Sequence, residues 1–251
     1  MEQLNNKVIK EQEEKNIRYL IKYTKESNIK FIAHLDLMRT AQKIVRRAKL
    51  PVKYSKGFNP HMAMSIAQPL AVGMYSAGEY MDLVFVEEVD EKEIIDRLNA
   101  CTASGIKFIS AKKIVNVVNQ KKVPQAMALI DACRYTIKIK YDDTSNLENE
   151  IRNLLNKEMW KALKKSKKTE KEIDIKALVY DFKYWIKDNF LILNVLLQSG
   201  SREHLSAEFF TDYIKNNTTK ASDYFVDIKR EEMYYNKNGK LEPIYKISTN
   251  I

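Results

Sequence analysis

Several residue types are scarce in this chain, and each scarcity excludes a class of protein. Only two cysteines, Cys101 and Cys133, stand in 251 residues, far apart in sequence. That excludes a disulfide framework, a paired-cysteine zinc or redox site and an iron-sulfur cluster, which needs several closely spaced thiolates. Six glycines and five prolines leave no room for a collagen-like or low-complexity chain. No apolar run approaches the ~20 residues of a membrane span. Residues 1–16 are charged and lack an apolar stretch, so they read as a disordered leader rather than a signal peptide or anchor. These absences predict a cytoplasmic protein without a membrane-spanning segment. There is no Gly-rich phosphate loop signature, and no cofactor is expected.

What the chain has in excess is positive charge. Forty-three Lys and Arg against 33 Asp and Glu give a formal charge of +10. Such a balance fits a polyanionic partner, or a well-solvated lysine-rich surface. A run of six lysines within residues 161–171 carries neither arginine nor aromatic residues and reads as a solvated loop.

The pattern of elements predicts an α+β fold. Residues 17–23 read as a strand and 35–48 as a helix closed by Pro51. Two strands follow at 62–68 and 79–86, then a helix at 91–101 capped by Asp90, then a strand at 106–114. After a linker at 115–131, which has some helical character, comes a strand at 134–141 and a helix at 146–157. Strands at 173–186 and 190–198, a helix at 205–214 beginning after Ser201, and a strand at 224–230 complete the set, with a hairpin turning at Asn238-Gly239. The order βαββαβ occurs twice, which predicts two tandem ferredoxin-like domains over 17–114 and 132–251.

Chemistry-bearing residues concentrate in the first domain. Ala33-His-Leu-Asp-Leu-Met-Arg39 and Lys53-Tyr-Ser-Lys-Gly-Phe-Asn-Pro-His61 hold two of the three histidines. At ~100° per residue the helix places Arg39, Lys43 and Arg46 on one stripe with Asp36 beside them, opposite Leu37, Ala41 and Ile44. Tyr54, Lys56, Phe58 and Asn59 follow in the loop. Cations neutralise phosphates and exposed rings stack on unpaired bases, so this combination suits RNA. His34 and His61 admit three roles. They could act as general acid and base, as metal ligands with Asp36 or Glu79, or as hydrogen-bonding ties within the loops. Gly57, Gly73 and Gly78 mark turns that could bring backbone amides near an anion. His204, at the start of the helix predicted at 205–214, is expected to be structural.

The same residues carry a family resemblance. His34-Leu-Asp-Leu-Met-Arg39, Arg46-Arg47, Leu50-Pro51, Tyr54-Ser55, Gly57-Phe-Asn-Pro-His61, Pro69-Leu70, Gly73, Ser76 and Glu79-Tyr80 resemble the radical SAM-linked domain family. The likeness is dense over residues 17–86 and looser beyond, where Asp174-Ile-Lys-Ala and Asp227-Ile-Lys-Arg230 are its clearest traces. Ala33 and Met62 depart from the pattern, which has serine and proline there. The resemblance implies an accessory to a separately encoded radical SAM enzyme; joined to the basic, aromatic surface it predicts RNA or a ribosomal component as the target, with the substrate or partner contacting His34, Asp36, Arg39, Lys43, Arg46, Tyr54, Lys56, Phe58, Asn59, His61 and Glu79. The alternative is a metal-independent endoribonuclease that uses His34 and His61, by analogy with CRISPR repeat-processing enzymes.

Overall fold

The computed structural model describes residues 16–115, 122–165, 170–200 and 203–247. The expected leader therefore lies outside the described residues except for Asn16, as do residues 116–121 of the linker. The first half contains β1 (Ile17–Lys25), α1 (His34–Arg47), β2 (Met64–Ile66), β3 (Tyr75–Phe85), α2 (Glu91–Ala100) and β4 (Phe108–Ile114). A single-turn helix, α3 (Ala126–Leu129), leads to β5 (Ala132–Lys140), α4 (Leu147–Asn156), β6 (Lys161–Lys165) and β7 (Glu170–Asp174). Then come β8 (Val179–Lys187), β9 (Phe190–Gln198), α5 (Ala207–Asn216), β10 (Asp227–Lys237) and β11 (Lys240–Pro243).

This is a mixed α/β architecture built on a 9-stranded, mostly antiparallel sheet in the order β4-β1-β3-β10-β5-β9-β8, with β2 on β3 and β11 on β10. The halves meet where Tyr75 and Ser76 of β3 pair in parallel with Lys229 and Arg230 of β10. The crossing is close. A Cβ on Gly78 would stand 2.8 Å from the Glu231 carbonyl oxygen, so a larger residue would push the strands apart.

Alternation along the strands divides the core. Tyr19, Ile21 and Tyr23 of β1 pack with Leu37, Ala41, Ile44 and Val45 of α1 and Ile94 and Leu98 of α2. Leu20 faces the other cluster, which continues through Cys133, Tyr135, Ile137 and Ile139 of β5 to Ile151 and Leu154 of α4 and Phe210 and Ile214 of α5. Helix ends follow local chemistry. Asp90 accepts from the N–H groups of Lys92 and Glu93 at 2.9 and 3.1 Å, and Ser206 accepts from Phe209 N. Asn238 and Gly239, both at positive φ, turn β10 into β11, and Asp188 and Asn189 do the same between β8 and β9.

Several sequence expectations are corrected. The strand expected at 62–68 shrinks to Met64–Ile66: Met62 bridges Tyr54 instead, and Gln68 turns away at a φ of +28°. The strand expected at 173–186 is interrupted by a 3-10 turn at Lys176–Leu178. The lysine-rich segment is a two-stranded hairpin, β6 with β7, where Lys161 faces Glu172 at 3.1 Å across the pair; residues 166–169 lie outside the described residues. The last helix starts after Ser206, and the expected start at Ser201 falls outside them. The final strand is displaced and longer, and the turn position expected for Gly78 lies inside β3. No described helix is long and apolar enough to cross a membrane.

Candidate functional site

Burial of Leu37, Ala41, Ile44 and Val45 turns the opposite face of α1 outward, where Arg39, Lys43, Arg46 and Arg47 are all exposed. Asp36 is exposed as well and pairs with Arg39 at 3.0 Å, one turn apart. The charged stripe thus stands as expected. Arg46 and Arg47 also lie in the last turn, where cations complement the helix dipole.

Residues 54–62 form a closed loop. Tyr54 and Met62 make an isolated antiparallel bridge, Ser55 N donates to His61 O at 2.8 Å, and His61 N donates to the Ser55 hydroxyl at 2.9 Å. These ties leave the tip projecting, with Gly57 at a φ of +123°. Lys56, Asn59 and His61 are exposed, and Phe58 is 111% exposed, with no packing on its own protein. An aromatic ring held free of the core is costly in water unless something covers it.

The register separates His34 from His61. Lys53 N donates to Val84 O, and Val84 N to Ala63 O, so the loop leaves from the C-terminal end of β3. His34 lies toward the opposite end, where Lys25 pairs with Ser76. The 13 steps of α1 between them span roughly 20 Å. The structure therefore does not assemble His34, Asp36 and His61 into one acid-base or metal-binding group. Among the described residues no cluster of three or more His, Cys, Asp and Glu is arranged to hold a metal ion.

Glu79 also leaves the expected surface. It is 1% exposed and paired with Arg230, itself 1% exposed, through Nε to Oε1 at 2.8 Å and a second guanidinium nitrogen to Oε2 at 2.5 Å. Burial alone would lower the guanidinium's pKa, but the Glu79 carboxylate more than offsets it, so the net direction is upward and Arg230 stays charged. This bidentate pair ties β3 to β10, which is a structural role. The Tyr23 hydroxyl beside it is pushed up by burial and then by Glu79.

Arg230 reaches a group of residues that no sequence pattern joins. It donates to the Gln68 carbonyl at 2.9 Å. The Gln68 side chain accepts from the Cys133 thiol at 3.1 Å, donates to Ser199 O at 3.4 Å, and lies 3.3 Å from His204 Nδ1. His204 is not the first residue of a helix but bridges Ser199 just before α5. Its pKa is lowered by burial first, then by the Lys164 and Arg230 charges, which leaves a neutral imidazole at pH 7. A cavity of about 480 Å³ opens beside Gln68 and His204, and a second of about 430 Å³ lies between His204 and Lys164. From sequence, Pro69-Leu70, Glu79-Tyr80 and the Asp227-Ile-Lys-Arg230 trace fell in this region, but nothing joined them to Gln68 or His204.

A family model described as an uncharacterized protein conserved in bacteria, DUF2344, matches residues 18–207. No curated protein matches. Among solved structures, an unknown protein from Galdieria sulphuraria is 11% identical, covering 92% of this chain and 99% of that one, with a TM-score of 0.26. A putative glycine cleavage system transcriptional repressor is 8% identical, covering 86% of this chain and 98% of that one, with a TM-score of 0.20.

Proposed function

The chain belongs to the DUF2344 family, and on that premise we propose that it is a noncatalytic, cytoplasmic RNA-binding accessory protein. The carrying observation is Phe58, a fully exposed ring at the tip of a closed loop that also presents Lys56, Asn59 and His61. Arg39, Lys43, Arg46 and Arg47 on α1 supply phosphate contacts, and the +10 charge favours encounter with a polyanion. Base stacking on the ring and counterion release by the cations act together in single-strand binding.

A ferredoxin-like reading of both halves is supported by the strand orders. With the separate β6–β7 hairpin and β11 set aside, numbering the remaining strands within each half gives 4-1-3-2 for β4-β1-β3-β2 and for β10-β5-β9-β8. Service to a separately encoded radical SAM enzyme that acts on RNA or a ribosomal component rests on the resemblance of the His34–Arg39 and 54–61 motifs. Cys101 and Cys133 do not offer closely spaced cluster ligands, which favours an accessory role over that of the radical SAM enzyme itself. An endoribonuclease using His34 and His61 gains no support from their placement at opposite ends of α1.

The test is equilibrium binding of unstructured RNA between about 50 and 200 mM salt. Replacing Arg39, Lys43 and Arg46 by Ala together lowers the log–log salt slope by about 2 if each cation neutralises one phosphate. Coexpression with a radical SAM protein encoded beside it tests the partnership. Failure to bind either RNA or that protein at moderate salt overturns the reading.

A further inference from the structure

The cavity beside Gln68 is built like a ligand site, apart from the α1 face. Its walls come from three places in the chain: Pro69 after β2, Met127 and Ile130 around α3, and Gly200 after β9. Four polar residues line it, namely Gln68, Gln125, Ser199 and His204. No Lys, Arg, Asp or Glu is among its described lining residues. Apolar walls with a few fixed polar groups are the usual composition of a small-ligand pocket, and about 480 Å³ lies within the usual size range.

Two observations point to a ligand. Gln68 keeps a φ of +28°, rare for a residue with a Cβ, and is held there by Arg230, Cys133, Ser199 and His204. Strain sustained by so many contacts marks functional positions. Beside the Cys133 thiol, whose proton goes to Gln68, the Ser199 hydroxyl has no hydrogen-bond partner among the described residues, although Ser199 is 5% exposed. A buried hydroxyl left without a geometric partner can take one from outside the chain, a water or a ligand.

The chemistry selects the partner. With Gln68 Nε2 donating to His204 Nδ1, the other imidazole nitrogen carries the proton and is a donor. Carboxamide, hydroxyl and imidazole together present donors and acceptors in one apolar-walled space whose described lining carries no charged side chain. That matches the edge of a nucleobase, a flat ring with alternating donors and acceptors. Across His204 the second cavity offers the exposed Lys164 amine and Ser206 at the start of α5. Glu208, in the same first turn, lines a different cavity with Val72 and Phe225. We propose that these adjoining cavities bind one nucleotide, with its base among Gln68, Gln125, Ser199 and His204 and its phosphate toward Lys164.

The nucleotide comes either free or as an unpaired residue of RNA, and the arms of the test separate these sources. The full chain is titrated with the four nucleoside 5′-monophosphates, the matching nucleosides, ribose 5-phosphate and a short unstructured RNA, followed through the Met127 methyl and His204 ring resonances. At least one monophosphate, or the RNA alone, shifts both resonances. Ser199→Ala and Gln125→Ala each weaken that binding about tenfold, as expected for one lost hydrogen bond. Lys164→Ala weakens the monophosphate but not its nucleoside. Melting at the wild-type temperature checks that the variants fold. Replacing Arg39, Lys43 and Arg46 weakens RNA but leaves the shifts caused by a monophosphate unchanged, so loss of the α1 RNA site and loss of this one are distinguishable. The assignment is overturned if no nucleotide or RNA moves the resonances in the millimolar range, if ribose 5-phosphate alone does so equally, or if Ser199→Ala and Gln125→Ala bind like wild type.

Discussion

Arg230→Met tests how the two halves are held together. The variant removes the guanidinium that faces Glu79 while keeping most of the side-chain volume, and it leaves a carboxylate 1% exposed with no counterion at 2.5 Å. Breaking a buried pair by deleting one partner costs about 3–5 kcal/mol, because the remaining charge is desolvated and uncompensated. Gln68 O also loses its donor at 2.9 Å, a further cost of about 1 kcal/mol. For a chain of this size each kcal/mol moves the melting temperature by about 2–4 °C, so the variant melts roughly 10–20 °C below wild type. Urea unfolding at fixed pH and salt measures the loss directly. The double variant Glu79→Leu with Arg230→Met recovers most of it, since replacing both charges by apolar groups is often nearly neutral. Arg39→Met, which breaks an exposed pair whose side chains are 69% and 61% accessible, costs no more than about 1 kcal/mol. The reasoning is refuted if Arg230→Met costs less than about 1 kcal/mol, or if the double variant is no more stable than the single one.

Other perturbations separate folding from binding. Phe58→Ala leaves the unfolding midpoint within about 0.5 kcal/mol of wild type but weakens RNA binding by about 1–3 kcal/mol, measured by fluorescence anisotropy. Gly105→Ala destabilises the fold by about 1–3 kcal/mol in thermal melts, because its φ is +90° and the new Cβ would stand 2.6 Å from Ile29 Cγ2. His204 makes stability depend on pH. Its folded pKa lies below the unfolded value near 6.5, so the unfolded chain takes up a proton first as pH falls. The contribution is therefore full above that unfolded value and is lost as pH drops toward the folded one, and His204→Gln removes this part of the dependence in urea midpoints taken from about pH 5 to 8.

Local chemistry was legible in the sequence wherever it is local in the structure. The alternation of Arg134 to Lys140, the Asp90 cap and the Asn238-Gly239 turn each act through near neighbours, and each lies where the pattern put it. So does the charged stripe of α1, because burial of Leu37, Ala41 and Ile44 fixes the helix face. The β6–β7 hairpin was not legible, since lysine-rich strands owe their pairing to partners such as Glu172 rather than to their own propensity. Glu79 and Arg230 lie 151 positions apart, and nothing in either segment announces the other. The same holds for Gln68, whose backbone conformation comes from tertiary contacts, and for the third histidine, which matters only because Gln68 meets it.

The central claim is that the loop tip at Phe58 and the cationic face of α1 are where RNA sits. Ultraviolet crosslinking of the full chain to unstructured RNA, followed by mass-spectrometric mapping of the crosslinked peptides, tests it most directly. The account predicts crosslinks at Tyr54, Phe58 and His61 that disappear when Arg39, Lys43 and Arg46 are replaced by Ala. Crosslinks confined to the second half of the chain, or none at moderate salt, would contradict it.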